Sequence, residues 1–286
     1  MIKSKNSICR SYPKGTTPGM EEVEQYKEQL PRLRASGAGQ NPVKELFSLL
    51  VGLISSFAIV VVNAQSSIDF DAVHLETEPV AGNVSMIKLV GAHASNIGVV
   101  VSDEAVLIVD SQYAELTENI LTEIRTLSAE PILYLINTHY HGDHTGGNEN
   151  FADAGTTIVA HENVAKVMSV DRESIATGKI NPAAPEQARP SITYTDSLEI
   201  KLNEETVRIL YVTNSHTSGD SFVHFVDSNV LQMGDTYRTT TYPIVDISDG
   251  GSYLGIIKIM ERAIQMSDAR TKIIPGHGHI SDIRDL

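Results

Sequence analysis

The stretch "NTHYHGDHTGGN", residues 137–148, places three histidines and an aspartate within six positions, beside a pair of glycines. The four residues are His139, His141, Asp143 and His144. Imidazole and carboxylate groups are ligands that divalent zinc, iron and manganese accept, and several of them must converge to hold an ion. The spacing therefore predicts a metal site, to which the alternative is a solvated, histidine-rich loop.

Three further polar side chains follow predicted strands, as the first motif follows the apolar run "ILYLI". His216 comes after "VRILYV", Asp235 ends the hairpin formed by "FVHFVD" and "VLQM", and His277 comes after "TKIIP". In layered α/β folds, sites assemble at the carboxyl ends of strands. The shared position predicts that these groups lie together, although His216 and Asp235 each have a capping or turn role as the alternative.

Short apolar runs alternate with helical patterns from about residue 85 onward, which predicts an α/β fold. The runs that flank the turn Ser102-Asp103-Glu104 are expected to pair as antiparallel strands. Apolar residues at helical spacing predict helices over residues 116–127 and 253–264, and a further helix is expected over residues 161–168.

Four motifs occur in a fixed order along the chain: "THYHGDHTGG", "NSHTSGDS", "MGDT" and "PGHG". In these motifs the chain resembles the metallo-β-lactamase superfamily, across roughly residues 80–280. The resemblance implies a four-layered αββα sandwich with one or two metal ions in the groove between its two sheets. More narrowly, "NIGVVVSDEAVLIVD" and "YPIVD" are similar to exported hydrolases of this fold that are named beta-lactamase-like or glyoxalase-II-like.

Asp235 departs from one branch of this superfamily. Zinc β-lactamases of the cysteine-containing type have a Cys ligand at this position, whereas hydrolases of the glyoxalase II kind have Asp, as here. The resemblance implies two divalent metal ions, expected to be zinc. Iron and manganese are the alternatives, because His and Asp bind all three metals.

The first ion is assigned to three histidines. His139 and His141 are two positions apart and project to the same side of an extended loop, so both can reach one ion. His216 is expected to be the third ligand.

The second ion is assigned to Asp143, His144 and His277. The carboxylate of Asp235 can bridge the two ions through its two oxygens, which a neutral imidazole cannot do. Asp143 is in addition a candidate proton acceptor in the reaction. His279 lies two residues beyond His277 and is the alternative to it as a ligand.

Residues around the ligands are expected to support them. Asp110, which ends a strand, is predicted to accept a hydrogen bond from a ligand imidazole, with a plain strand-end turn as the alternative. Gly142, Gly146 and Gly147 are expected to permit unusual backbone angles and close approach of the backbone.

The predicted function is that of a dimetal hydrolase. A water held between two divalent cations loses its proton near neutral pH, and the bridging hydroxide attacks a carbonyl group that the metals polarise. The expected substrate is a small-molecule ester, lactone, thioester or related carbonyl compound. The alternatives are a β-lactamase and a mononuclear iron enzyme of the sulfur-dioxygenase kind.

The acidic balance disfavours nucleic acid as a partner. The chain has 36 acidic and 22 basic residues; residues 1–64 hold 5 and 8 of these, so residues 65–286 keep 31 and 14, a net charge of −17. Such a charge repels polyanions. The lone cysteine, Cys9, precedes residue 65, so a disulfide or thiolate ligand is not expected in the domain. The sequence does not indicate an oligomeric state.

The amino-terminal segment predicts export. Residues 1–43 are polar and are expected to be a disordered extension or the product of a start codon assigned too early. Residues 44–64 contain the uncharged run Phe47–Val62 and end in Val-Asn-Ala, which predicts a signal peptide cleaved after Ala64. The mature protein would then be periplasmic or extracellular and free of the membrane, and an uncleaved single-pass anchor is the alternative.

Residues 65–286 are the predicted metallo-β-lactamase-like domain. Members of the superfamily usually continue into a closing helix after the last histidine motif, and "SDIRDL" (281–286) is expected to be the beginning of that helix. The domain is therefore predicted to lack its carboxyl-terminal helix.

Overall fold

Residues 68–90, 94–173, 178 and 180–286 are described by the computed structural model of this protein. The predicted extension and the signal or anchor segment, with its cleavage site after Ala64, lie outside the described residues. Within the described part of the chain, no helix has the length and apolar content needed to cross a membrane.

Strands of the described chain form two large sheets and one short hairpin. The strands are β1 (His74–Ala81), β2 (Val84–Val90), β3 (Ile97–Val101), β4 (Val106–Val109), β5 (Ile132–Ile136), β6 (Thr157–His161), β7 (Arg172–Glu173), β8 (Ile180–Asn181), β9 (Ile192–Tyr194), β10 (Ser197–Leu202), β11 (Glu205–Tyr211), β12 (Ser221–Phe225), β13 (Val230–Gln232), β14 (Lys272–Ile274) and β15 (Ser281–Asp282). The first sheet has the order β1-β2-β3-β4-β5-β6-β9, the second has the order β10-β11-β12-β13-β14-β15, and β7 pairs with β8.

Helices cover the outer face of each sheet. The helices of the described chain are α1 (Thr117–Leu127), α2 (Gly142–Thr145), α3 (Asn148–Asp153), α4 (Glu162–Met168) and α5 (Tyr253–Met266). Helix α1 buries Ile120 and Ile124 against the first sheet, and α5 buries Ile256 and Ile259 against the second. The three longer helices match those predicted from the apolar spacing.

The central core lies between the two sheets. Val109 from the first sheet and Val223 and Phe225 from the second belong to one buried apolar cluster. In β11, Val207 is buried and the next residue, Arg208, is exposed, because successive side chains of a strand point to opposite faces. Two sheets packed face to face, each with a helical outer layer, form the predicted four-layered αββα sandwich.

Parallel pairing brings the ends of several strands to the same edge. Strands β4, β5 and β6 are parallel neighbours in the first sheet, and β13 and β14 are parallel neighbours in the second. All residues of β4 are buried, as expected for a strand covered on both faces. Strands β3 and β4 pair in antiparallel fashion across the predicted turn at residues 102–104.

Two parts of the fold differ from the expectation. The first sheet begins with the β1–β2 hairpin at His74, upstream of the region where the sequence predicts alternation. Strand β1 lies at the edge of the sheet, half of its eight residues are polar and none is buried, so its apolar pattern is weak. The segment expected to begin a helix instead forms β15, paired with β14. A hydrogen bond of 3.2 Å between the Tyr237 hydroxyl and Ser281 Oγ holds it there.

Candidate metal centre

The predicted ligands converge at the strand ends, in three overlapping groups. The groups are His139 with His141 and His216, His139 with His144 and Asp235, and Asp143 with His144 and His277. Within each group the nitrogen and carboxylate oxygen atoms lie within 4.8 Å of one another. All seven residues assigned from the sequence therefore belong to one site.

Local structure explains why the first motif supplies four of these side chains. His139 lies in a bend after β5, and His141, the residue that precedes α2, has extended backbone with φ −62° and ψ 152°. Asp143 and His144 are in the single helical turn of α2. The change from extended to helical backbone directs the two pairs of side chains to different ligand sets.

The first ligand set consists of His139, His141 and His216, and these three histidines face one another through nitrogen atoms. His141 Nδ1 lies 3.1 Å from His139 Nε2 and 3.0 Å from His216 Nε2. The other ring nitrogen of His216, Nδ1, is 2.7 Å from the carbonyl oxygen of Ile244 and donates its hydrogen there. The Nε2 lone pair of His216 is thereby left facing the other two imidazoles.

The second ligand set consists of Asp143, His144 and His277, and the carboxylate of Asp235 lies beside it. His277 Nε2 lies 3.3 Å from Asp143 Oδ2 and 3.0 Å from Asp235 Oδ1. His144 Nε2 lies 3.2 Å from the same Asp235 oxygen. The other oxygen of Asp235, Oδ2, is 3.8 Å from His216 Nε2 in the first set, so this carboxylate faces both sets.

Two buried atoms at the junction fit a cation. His144 Nε2 and Asp235 Oδ1 are both buried, and among the described residues neither has a partner with hydrogen-bond geometry. Buried polar atoms without a partner are rare in folded proteins. Imidazole nitrogen and carboxylate oxygen are ligands for a divalent ion, so the donor set and the unsatisfied atoms together fit bound metal.

Ionisation differs between the two sets. Burial, reinforced by neighbouring imidazoles, holds the pKa of His139 well below its usual value, and burial likewise lowers the pKa of His216. Burial opposes ionisation of Asp143 and Asp235, but His144 and His277 outweigh it and lower the pKa of Asp143 to about 2 and that of Asp235 well below its usual range. The same carboxylates outweigh burial at His144 and His277 and raise the pKa of both imidazoles, so these two side chains must release a proton when metal binds, whereas the carboxylates are already in the ionised form that binds metal.

The metallo-beta-lactamase superfamily profile matches residues 90–280, which contain every residue of this site. The chain belongs to the metallo-beta-lactamase superfamily. Members of this superfamily are metal-dependent hydrolases that act on small molecules, and they typically bind divalent metal ions. The chain is therefore an enzyme of that class.

Two curated relatives match part of the chain. The 2,4-dinitroanisole O-demethylase subunit alpha of Nocardioides sp. (strain JS1661) is 29% identical over 118 residues, 41% of this chain and 33% of the relative. The beta-lactamase-like protein 2 homolog of Caenorhabditis elegans is 25% identical over 181 residues, 62% of this chain and 53% of the relative. The matched regions thus span about a third and about half of these two proteins.

Solved structures support the fold of this superfamily member. A metallo-beta-lactamase from Pontibacter korlensis superposes with a TM-score of 0.61 at 18% identity, over 74% of this chain and 94% of its own. The DIM-1 metallo-beta-lactamase superposes with a TM-score of 0.57 at 22% identity, over 74% and 92%. At these identities the superpositions establish the fold alone.

Asp110 occupies the position that the sequence predicted for it. His144 Nδ1 donates to Asp110 Oδ2 at 2.8 Å, and the amide and hydroxyl of Thr138 donate to the two Asp110 oxygens, also at 2.8 Å. Asp110 has a positive φ of 67° at the strand end, so the predicted support and the turn role are both present. The contact leaves His144 Nε2 directed towards the carboxylates of Asp143 and Asp235.

The glycines of the first motif have one of their two expected roles. Gly142, Gly146 and Gly147 do not have positive φ angles. A Cβ atom on Gly147 would lie 2.4 Å from the Ser111 carbonyl oxygen, and one on Gly146 would lie 2.6 Å from the Gly142 carbonyl oxygen. Close backbone approach therefore accounts for the glycine pair, whereas no contact or backbone angle accounts for Gly142.

Sequence reasoning missed residues that hold the ligand loops. Asp220 fixes the loop that carries His216, since it accepts hydrogen bonds from Ser215 Oγ at 2.6 Å and from the Thr217 amide at 2.7 Å. Asp246 contacts His141. Asp220 belongs to the quoted motif "NSHTSGDS" and Asp246 to "YPIVD", so both could have been found there.

The structure distinguishes the two carboxyl-terminal histidines. His277 is buried beside Asp143 and Asp235, whereas His279 is exposed and lies outside the three ligand groups. We expect His277→Ala to lower metal affinity by at least about 10-fold, because a candidate ligand is lost, and His279→Ala to leave metal affinity unchanged. Metal analysis after dialysis against a chelator measures both variants, and the reverse order of effects would exchange their assignments.

Proposed function

We propose that this metal-dependent hydrolase holds two divalent ions, with zinc as the expected metal, and cleaves an ester, lactone or thioester. The observation that carries the proposal is the placement of Asp235, whose Oδ1 faces His144 and His277 while its Oδ2 faces His216. A single carboxylate can contribute one oxygen to each of two neighbouring ions. The nitrogen-rich ligand set favours zinc.

The side chains have distinct tasks in this proposal. His139, His141 and His216 would hold one ion, and the second set would hold the other, with Asp235 between them. Bound ions would lower the pKa of a water molecule and polarise a substrate carbonyl. Asp143 has a side chain that is 19% exposed, against 6% for Asp235, so it is the more accessible of the two carboxylates and the candidate proton acceptor.

The proposed substrate class is supported by the carboxylate of Asp235 and by the acidic charge of the chain. A carboxylate stands at the bridging position, as in hydrolases of the glyoxalase II kind. An acidic chain with a net charge of −14 does not favour a polyanionic substrate.

Export of the mature domain is part of the proposal and is supported by the uncharged run Phe47–Val62.

We expect esters, lactones or thioesters to be hydrolysed with a higher kcat/KM than any β-lactam. Attack on each of these carbonyls needs the same activated water, so discrimination rests on the fit of the substrate. The test measures kcat/KM over a panel of esters, lactones, thioesters and β-lactams with enzyme that contains two zinc ions per chain. His279→Ala is the control, because His279 lies outside the candidate ligand groups. A penicillin or carbapenem cleaved faster than every other compound would establish the β-lactamase alternative.

Metal analysis and oxygen uptake distinguish the proposed hydrolase from the mononuclear iron enzyme. Close to two ions per chain and no oxygen consumption support the proposed hydrolase. One iron per chain with oxygen uptake on a persulfide or thiol substrate would instead establish the mononuclear iron enzyme.

A further inference from the structure

Asp246 links a separate segment of the chain to the first ligand set. It lies between β13 and α5, and its Oδ2 is 3.3 Å from His141 Nε2. The same oxygen accepts a hydrogen bond from the hydroxyl of Tyr140, the residue between His139 and His141. The Asp246 carboxylate thus contacts both the second histidine of the motif and the tyrosine that precedes it.

The contact determines which nitrogen of His141 faces the ligand set. An imidazole can bind a metal through either nitrogen, and a hydrogen bond from one nitrogen leaves the lone pair on the other. With Nε2 directed to Asp246, the lone pair is on Nδ1, the atom that lies 3.0 Å from His216 Nε2. His216 and His144 have acceptors of the same kind in the Ile244 carbonyl and Asp110.

Several contacts hold Asp246 in place. Its amide donates to the His216 carbonyl oxygen at 2.8 Å, which joins it to a second ligand loop. Arg172 Nη2 donates to the Tyr140 hydroxyl at 3.0 Å, and the Arg172 guanidinium carbon lies 4.3 Å from the centre of the Tyr140 ring. These bonds connect Arg172, Tyr140, Asp246 and His141 in one chain of contacts.

We propose that Asp246 is a positioning residue that orients His141 so that its Nδ1 binds the first metal ion. The inference rests on the proposed two-metal function and assigns a residue outside its ligand set. Loss of an acceptor behind a ligand histidine typically lowers metal affinity about 10–100-fold. The loss is expected at the three-histidine site, while the site of Asp143, His144 and His277 keeps its ion.

Binding of Co²⁺ to the full chain tests this role without an activity assay. Wild type and variants are stripped of metal and titrated with Co²⁺ against a competing chelator, while the visible spectrum reports the geometry of each ion. His216→Ala and His277→Ala provide reference spectra for loss of the first and second ion. Asp246→Ala should lose about 10–100-fold in affinity and should change the same bands as His216→Ala.

Two conservative variants keep the test decisive if the alanine variant does not fold. Asp246→Asn retains a neutral acceptor for His141, so a smaller but measurable loss is expected, because a charge-assisted hydrogen bond is replaced by a weaker one. Asp249→Asn is the matched control. Asp249 is on the same turn, bonds Ser218 Oγ at 2.9 Å and lies 3.9 Å from Arg172 Nη2, but its side chain does not contact His141 or Tyr140. Asparagine keeps an acceptor oxygen and leaves the contact between Asp246 and His141 intact, so affinity should stay close to the wild-type value.

Each outcome separates the two proposals. Unchanged Co²⁺ affinity in both Asp246 variants would overturn the positioning role, and so would an equal loss in Asp249→Asn, since the segment as a whole would then be responsible. A wild-type chain that binds no ion at the three-histidine site would overturn the proposed function itself. Selective loss in the Asp246 variants alone supports the inference.

Discussion

Replacing Asp235 with alanine is expected to remove one ion per chain and to lower kcat/KM by at least about 100-fold, since losing only a hydrogen-bonding partner of a ligand already costs about 10–100-fold in metal affinity or activity. Asp235 is buried, with Oδ1 3.0 Å from His277 Nε2 and Oδ2 3.8 Å from His216 Nε2. Without Asp235, each ligand set lacks one carboxylate oxygen that could bind its ion. Metal content by mass spectrometry and kcat/KM on the preferred substrate are the two measurements.

The control is Asp227→Ala. Asp227 is exposed in the turn at the opposite end of the β12–β13 hairpin that leads to Asp235, so its replacement should leave two ions and full activity. An Asp235→Ala enzyme that retains both ions, or an activity within a factor of about three of wild type, would contradict the bridging role.

Replacing Asp110 with asparagine should have the second large effect, although the side chain keeps its shape. Asp110 accepts three hydrogen bonds, from His144 Nδ1 and from the amide and hydroxyl of Thr138. An amide has one oxygen, so its NH₂ group must face either the Nδ1 hydrogen of His144 or the Thr138 amide. Leaving a buried donor without an acceptor costs about 1–3 kcal/mol of stability.

Metal binding should fall for the same reason. If His144 moves its hydrogen to Nε2 to accept from the amide, that nitrogen can no longer bind metal, and affinity at the second set should drop by about 10–100-fold. Thermal unfolding with and without zinc measures both effects, because bound metal stabilises the folded state. Asp103→Asn, in the exposed turn at the other end of β4, is the control. Equal zinc affinity in the Asp110 variant and wild type would show that the tautomer of His144 is set by another contact.

The sequence alone predicted which side chains meet at the candidate metal centre and their place in the fold. The apolar runs that become β5, β13 and β14 are visible as local patterns, and the polar residues that follow them sit at strand ends whatever the packing. Histidine and aspartate at those ends already indicate metal chemistry. The helices α1 and α5 could likewise be predicted, because their apolar faces repeat at helical spacing.

Only the tertiary structure decided how those ligands are oriented. His141 depends on Asp246, which is 105 residues away in sequence, and His144 depends on Asp110, 34 residues away. Packing of the two sheets brings these partners together, and a local pattern carries no information about such distant contacts. The choice of His277 over His279 is of the same kind, because burial beside Asp143 and Asp235 follows from the assembled strand ends and not from the "GHGH" sequence. Residue type is thus a local property of this chain, whereas the nitrogen or oxygen that each residue presents is set by long-range hydrogen bonds.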